Sequence, residues 1–169
     1  MDILKSTRHA KITGDFAEAL VLYWLSKYGF ECANIDHTGI DLIARNPHTN
    51  ELFGVSVKSR CRVAGTEAES VSIPADNFRK ATAACDAFGC VPYFAIVVDA
   101  GEHIQGFILP MSRLLTLCPS TALGSYWKMS ARFLQQCGED PEIKCFEFQT
   151  RTVNWWAAAE VAIMDCPEP

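Results

Sequence analysis

The chain has 169 residues, 49% of them hydrophobic and 21% charged, which suits one globular domain with a single core and excludes a disordered or collagen-like polymer. The formal charge of −5 is unevenly spread: residues 1–62 hold eight Lys/Arg against seven Asp/Glu, and residues 63–169 hold seven against thirteen. A strongly basic, sequence-independent nucleic-acid binder is thereby excluded, although a local basic strip is not. The longest apolar runs, Val91–Val98 and Phe16–Leu25 with Glu18 inside it, are too short to span a bilayer. Met1-Asp2-Ile3-Leu4-Lys5 has no apolar h-region. The eight cysteines form no C-x-x-C pair and have no histidine at zinc spacing, so they are expected to be mostly buried and reduced in a cytoplasmic protein.

In chain order, the first helix is expected from about Asp15 to Tyr28, apolar on most sides and stopped by Gly29. Strands follow at about Phe30–Asn34, Asp41–Arg45 and Leu52–Lys58, the last two joined as a hairpin through Asn46-Pro47-His48-Thr49-Asn50. Ser59–Ser72 reads as an exposed loop. A second helix opens at Pro74 or Ala75 and closes at Phe88 before Gly89. Val91–Asp99 is apolar on both faces, the mark of a covered strand. It should sit centrally, flanked by the strands carrying Asp41 and Lys58 and covered by the helices beginning near Asp15 and Pro74. His103–Leu109 pairs with it. Weaker signals place a helix near Ala131–Cys137, a strand near Ile143–Gln149 and a helix near Trp155–Met164. The fold class is therefore α/β in the wider sense, an α+β mixed sheet with flanking helices. Residues 1–115 form the core, and 116–169 form an acidic C-terminal extension packed on the same domain.

Three polar residues fall where this arrangement can bring them together. Asp41 begins a strand after Gly39-Ile40, Lys58 ends the next, and Glu18 lies early on the first helix. Alternation puts Ser56 and Lys58 on one strand face, with Val55 and Val57 on the other. Two carboxylates beside an ammonium suit Mg²⁺ or Mn²⁺, which take few carboxylates, water and phosphate oxygens.

Gly14-x-x-x-Glu18, Gly29-Phe30, Gly39-x-Asp41-Leu42-Ile43-Ala44 and Val55-x-Val57-Lys58-Ser59-Arg60 together resemble the PD-(D/E)XK, or restriction-endonuclease-like, nuclease superfamily. The similarity is to its small branch of archaeal Holliday-junction resolvases and YraN-type predicted endonucleases. It implies a core of order α-β-β-β-α-β and a metal-dependent nuclease hydrolysing or binding DNA or RNA phosphodiesters, with DNA the favoured partner and a homodimer possible. Carried over residue by residue, the catalytic positions are Glu18, Asp41, Ser56 and Lys58, with Glu18 and Asp41 as metal ligands. Ser56 departs from the pattern, which has Asp or Glu two residues before the lysine; a hydroxyl lacks a carboxylate's charge, so metal affinity should fall. Glu18, or Glu67 or Glu69 from the following loop, is the acid expected to compensate. The alternative is a catalytically impaired nuclease fold that binds nucleic acid or serves in a complex.

Each residue also has a plain structural reading. Asp15 and Glu18 have capping-box spacing, with Asp15 as N-cap. Asp41 can be a turn acid and Lys58 a solvated strand end. Arg60 and Arg62 can contact phosphates or simply be loop cations. His37 near Asp41 fits a loop histidine better than a ligand, and Tyr23, Trp24, Trp155 and Trp156 fit packing better than base stacking.

Overall fold

The computed structural model describes residues 5–63 and 65–151. The expected helix near Trp155–Met164 and Cys166 lie outside the described residues. In chain order the elements are α1 (His9–Lys27), β1 (Glu31–His37), β2 (Ile40–Arg45), β3 (Leu52–Cys61), β4 (Val71–Pro74), α2 (Ala75–Phe88), β5 (Val91–Asp99) and β6 (His103–Pro110). They continue through α3 (Met111–Leu117), β7 (Gly124–Trp127), α4 (Ala131–Glu139) and β8 (Lys144–Gln149). Six strands form one mixed sheet in the order β1-β2-β3-β5-β6-β8. Only β3 and β5 run parallel; the other neighbours are antiparallel. A small antiparallel pair, β4 with β7, stands apart. This is the expected α+β mixed sheet.

Strand β5 shows how the layers arise. Phe94, Ile96 and Val98 face a cluster with Val71, Ile73, Phe78, Leu114, Trp127 and Phe133. Ala95 and Val97 face the opposite cluster, with Ala17, Leu20, Val21, Leu25, Leu42 and Val55. Apolar residues on both sides make β5 interior, as the sequence implies. Its neighbours differ from expectation. They are β3 and β6, while β2, with Asp41, lies beyond β3. β1 already pairs with the outer edge of β2, so the parallel partner adds to the free β3 edge of the hairpin.

Two boundaries also differ. Helix α1 begins at His9, six residues before Asp15, which sits inside the helix paired with Lys11 at 3.0 Å. Asp15 is therefore no N-cap; the actual N-cap, Arg8, supplies no side-chain hydrogen bond. Strand β3 continues past Lys58 to Cys61 because β5 offers partners up to Asp99, and the end of the expected loop, Val71 and Ser72, belongs to strand Val71–Pro74 because β7 pairs with it. The hairpin turn matches its composition. Asn46 Oδ1 accepts the His48 N–H at 2.9 Å, and Asn50 takes a positive φ of 60°.

Helix α2 starts after Pro74 and ends in a left-handed Gly89, with the Cys90 N–H on the Cys85 carbonyl at 2.9 Å. It is seated on two glycines. A Cβ at Gly39 (φ 109°) would run into the Lys80 carbonyl, and one at Gly54 would lie 2.6 Å from Cys85 Sγ. Beyond residue 115, Trp127, Met129, Phe133, Cys137 and Ile143 fill the larger core cluster, and β8 closes the sheet. The seven described cysteines are free. Three are buried, three are half-buried and Cys145 is exposed, so fewer are buried than the composition suggested. Among the described residues, no helix is long and apolar enough to cross a membrane.

Candidate active site

The site lies where β2 and β3 part. Their ladder runs from Arg45↔Leu52 to Leu42↔Val55 and stops there. Past that point the Val57 N–H is taken by Asp41, whose Oδ2 accepts it at 2.6 Å. A side-chain oxygen thus replaces the missing strand partner, which satisfies a half-buried donor and fixes the carboxylate at the fork. Gly39 permits this placement, since the turn entering β2 fits against α2 only without a side chain.

Across the fork, β3 presents Ser56 and Lys58 on the same sheet face as their β5 neighbours Phe94 and Ile96, the face away from the α1 core. Ser56 is 2% exposed, and its hydroxyl accepts a hydrogen bond from Lys58 Nζ at 3.0 Å. Burial pushes the Lys58 ammonium below the ordinary lysine range, and the negative charge of Asp41 opposes that shift. Glu18 arrives from α1, which packs on β1, β2 and β3. Burial raises its carboxyl above the ordinary glutamate range, with repulsion from Asp41 as the next cause and Lys58 acting the other way. Glu18, Asp41 and Lys58, from three separate elements, therefore feel one another's charge.

The remaining candidates lie elsewhere. Glu67 Oε1 accepts the Gly65 N–H at 2.9 Å, and Glu69 faces Arg62 at 3.6 Å. Arg62 is 11% exposed at its side chain and donates to the Glu69 and Ser70 carbonyls, which makes it a strap for the loop after β3. Arg60 is exposed, two residues beyond Lys58, with its guanidinium on the Ser59 and Ser72 carbonyls. His37 packs edge-on against Phe88 at 5.2 Å and bonds the Thr38 carbonyl at 3.0 Å. Trp24 packs with Phe146 and Phe148.

Among the described residues, no group of three His, Cys, Asp or Glu side chains is placed to hold a metal ion by itself. Two mutually repelling carboxylates remain. Carboxylate oxygens of this kind, together with water and phosphate oxygens, are the donors that a hard cation such as Mg²⁺ takes. Sequence alternation alone paired Ser56 with Lys58. The Val57 amide, which anchors Asp41, is a backbone group with no signal in composition or spacing.

By sequence, no protein-family model matches the chain, and no curated protein matches it. By structure, it is similar to the Holliday junction resolvase Hjc of the archaeal hyperthermophile Archaeoglobus fulgidus, with a TM-score of 0.50, 16% identity, and coverage of 70% of this chain and 91% of that one. A bacterial homing endonuclease is similar over 75% of this chain and 79% of its own, at 15% identity and a TM-score of 0.44. The likeness to the resolvase is one of fold, and the fold is the α+β mixed sheet expected from the sequence.

Proposed function

We propose that the chain is a divalent-cation-dependent phosphodiesterase of nucleic acid, acting on DNA in preference to RNA. The observation that supports this reading is Asp41 held on the Val57 amide where the β2–β3 ladder opens, with Lys58 next along β3 and subject to the charges of both Asp41 and Glu18. A nuclease-like fold supports it, because function is argued from the site and the fold supplies only its frame. Glu18 and Asp41 would hold Mg²⁺ or Mn²⁺, which supplies Lewis-acid stabilisation of phosphoryl oxygens. With two protein carboxylates only, affinity for the ion alone is low, and a bound phosphodiester completes the ligand set. Lys58 orients the attacking water and offsets charge that builds on the phosphoryl group. Arg60, exposed beside it, contacts a flanking phosphate. A homodimer would present one such site to each strand of a duplex.

A second reading has its own observation. Ser56 stands where the resemblance calls for an acid, which favours a nuclease fold that binds nucleic acid without cutting it. One experiment separates the two. Wild type, Asp41→Asn and Lys58→Ala are incubated with linear duplex, single-stranded and four-way-junction DNA and with RNA, in Mg²⁺, Mn²⁺ or a chelator. The phosphodiesterase reading expects cleavage by wild type alone, only with metal, and faster on DNA. Equal yields from all three proteins, or none with retained binding, would overturn it.

A further inference from the structure

Lys58 has an unusual anchor. Among the described residues, its ammonium makes one hydrogen bond, to the Ser56 hydroxyl at 3.0 Å. Among the described residues no carboxylate lies within ion-pair distance of it, although Asp41 and Glu18 both act on it through space. Ser56 is itself 2% exposed and sits on the same face of β3, so its oxygen has little room to move. The residue between them, Val57, uses its amide to hold Asp41 at 2.6 Å. Ser56-Val57-Lys58 thus fixes both the lysine and the carboxylate from one stretch of strand.

From this geometry we infer that Ser56 is a positioning residue that holds the Lys58 ammonium in place without pairing its charge. An acid at position 56 would pair its charge with the Lys58 ammonium as well as accept its N–H. A hydroxyl accepts one N–H and leaves two of the three lysine donors uncommitted. It also leaves Asp41 and Glu18 free of the lysine, and so free for a cation. The serine therefore exchanges a metal ligand for a lysine anchor. The inference rests on Lys58 being the working group of the proposed reaction, yet the anchor itself can be tested without any cleavage.

The test follows the Lys58 side chain by carbon and nitrogen NMR through a pH titration of the full chain. Ser56→Ala removes the oxygen that stabilises the charged form, so the Lys58 midpoint should fall by about one pH unit. Ser56→Thr retains the hydroxyl and should restore the parent midpoint. Should Ser56→Ala fail to fold, Ser56→Cys, a weaker acceptor of similar shape, must show the same downward movement. In cleavage, the alkaline limb of the kcat profile should move down with the midpoint in Ser56→Ala, with KM for DNA held within about twofold. An unmoved midpoint in Ser56→Ala, or Ser56→Thr behaving like Ser56→Ala, would overturn the anchor. A shifted midpoint in a protein that cuts nothing upholds the anchor and removes the phosphodiesterase reading instead.

Discussion

The two halves of the β2–β3 hairpin are built from the same strands and do opposite things. In the half next to the turn, Leu42–Arg45 pairs fully with Leu52–Val55, and Leu42, Ala44, Phe53 and Val55 are buried against α1. In the half beyond Leu42↔Val55 the pairing stops, and Asp41, Ser56 and Lys58 occupy the gap. Closing a ladder satisfies the backbone and frees side chains to pack. Opening it leaves a donor that a carboxylate can use, and so holds charge in a half-buried place. Packing resides in one half and the proposed chemistry in the other, within a few residues.

Substitutions can test that division from both sides. The largest effect belongs to the open half. Lys58→Met should lower cleavage by about 10²–10⁴-fold, as expected for loss of a group acting directly on the reacting atoms. Its stability should not fall. The Lys58 value in the folded chain is depressed, so burying the ammonium opposes folding at neutral pH, and this penalty fades as pH rises through the folded value towards the ordinary lysine value near ~10.4. Thermal melts should therefore show Lys58→Met at or above wild type at pH 7, with no advantage above about pH 10.5.

The closed half should answer in the opposite currency. Leu42 is 0% exposed in the α1-side core, so Leu42→Ala should cost about 3 kcal/mol in urea unfolding while the metal dependence of any remaining activity is kept. An unchanged stability would mean that the packed half does not carry the load assigned to it.

Ser56→Glu crosses the boundary between the halves. A third carboxylate beside Asp41 repels it without a cation and binds the cation with it. The variant should melt lower than wild type in a chelator and gain a few degrees at millimolar Mg²⁺ or Mn²⁺, by linkage. Adding Asp41→Asn should cancel the gain. No metal-dependent rise in Ser56→Glu would mean that positions 18, 41 and 56 do not share a cation.

The smallest effect is that of Glu18. Its folded value is raised, so the folded state favours the protonated acid. The penalty is absent below the ordinary glutamate value near ~4.3 and grows as pH rises towards the folded one. In a chelator, Glu18→Gln should be slightly more stable than wild type at pH 7 and equal to it near pH 3, and Mg²⁺ should narrow the difference at pH 7. A difference that persists unchanged at pH 3 would show that packing rather than charge sets it.

Local chemistry was readable in the chain, and partnership was not. The helix closed by Gly89, the Asn46–Asn50 turn and the doubly apolar run at Val91–Asp99 each carry their signal in a few adjacent residues, and each appears where expected. The start of α1 was misplaced because Asp15 and Glu18 imitate a cap, whereas the real start at Arg8 has no capping side chain to announce it. Strands β4 and β7 were missed. They are four residues long, and each exists by virtue of the other, some fifty residues away. The same holds for the sheet order and for the Val57–Asp41 bond, which depend on where distant backbone comes to rest. At the site, the residue types and their alternation pointed to Glu18, Asp41 and Lys58. The use made of Ser56 needed coordinates.

The seating of α2 has a mechanical consequence. Gly39 lies against the helix backbone at Lys80, and Gly54 lies against the Cys85 side chain that the helix sends down to it. One of these glycines stands two residues before Asp41, the other two residues before Ser56. A side chain at either glycine would therefore have to displace α2 or the strand beneath it, so the seating of this helix and the placement of Asp41 and Ser56 depend on the same two small residues.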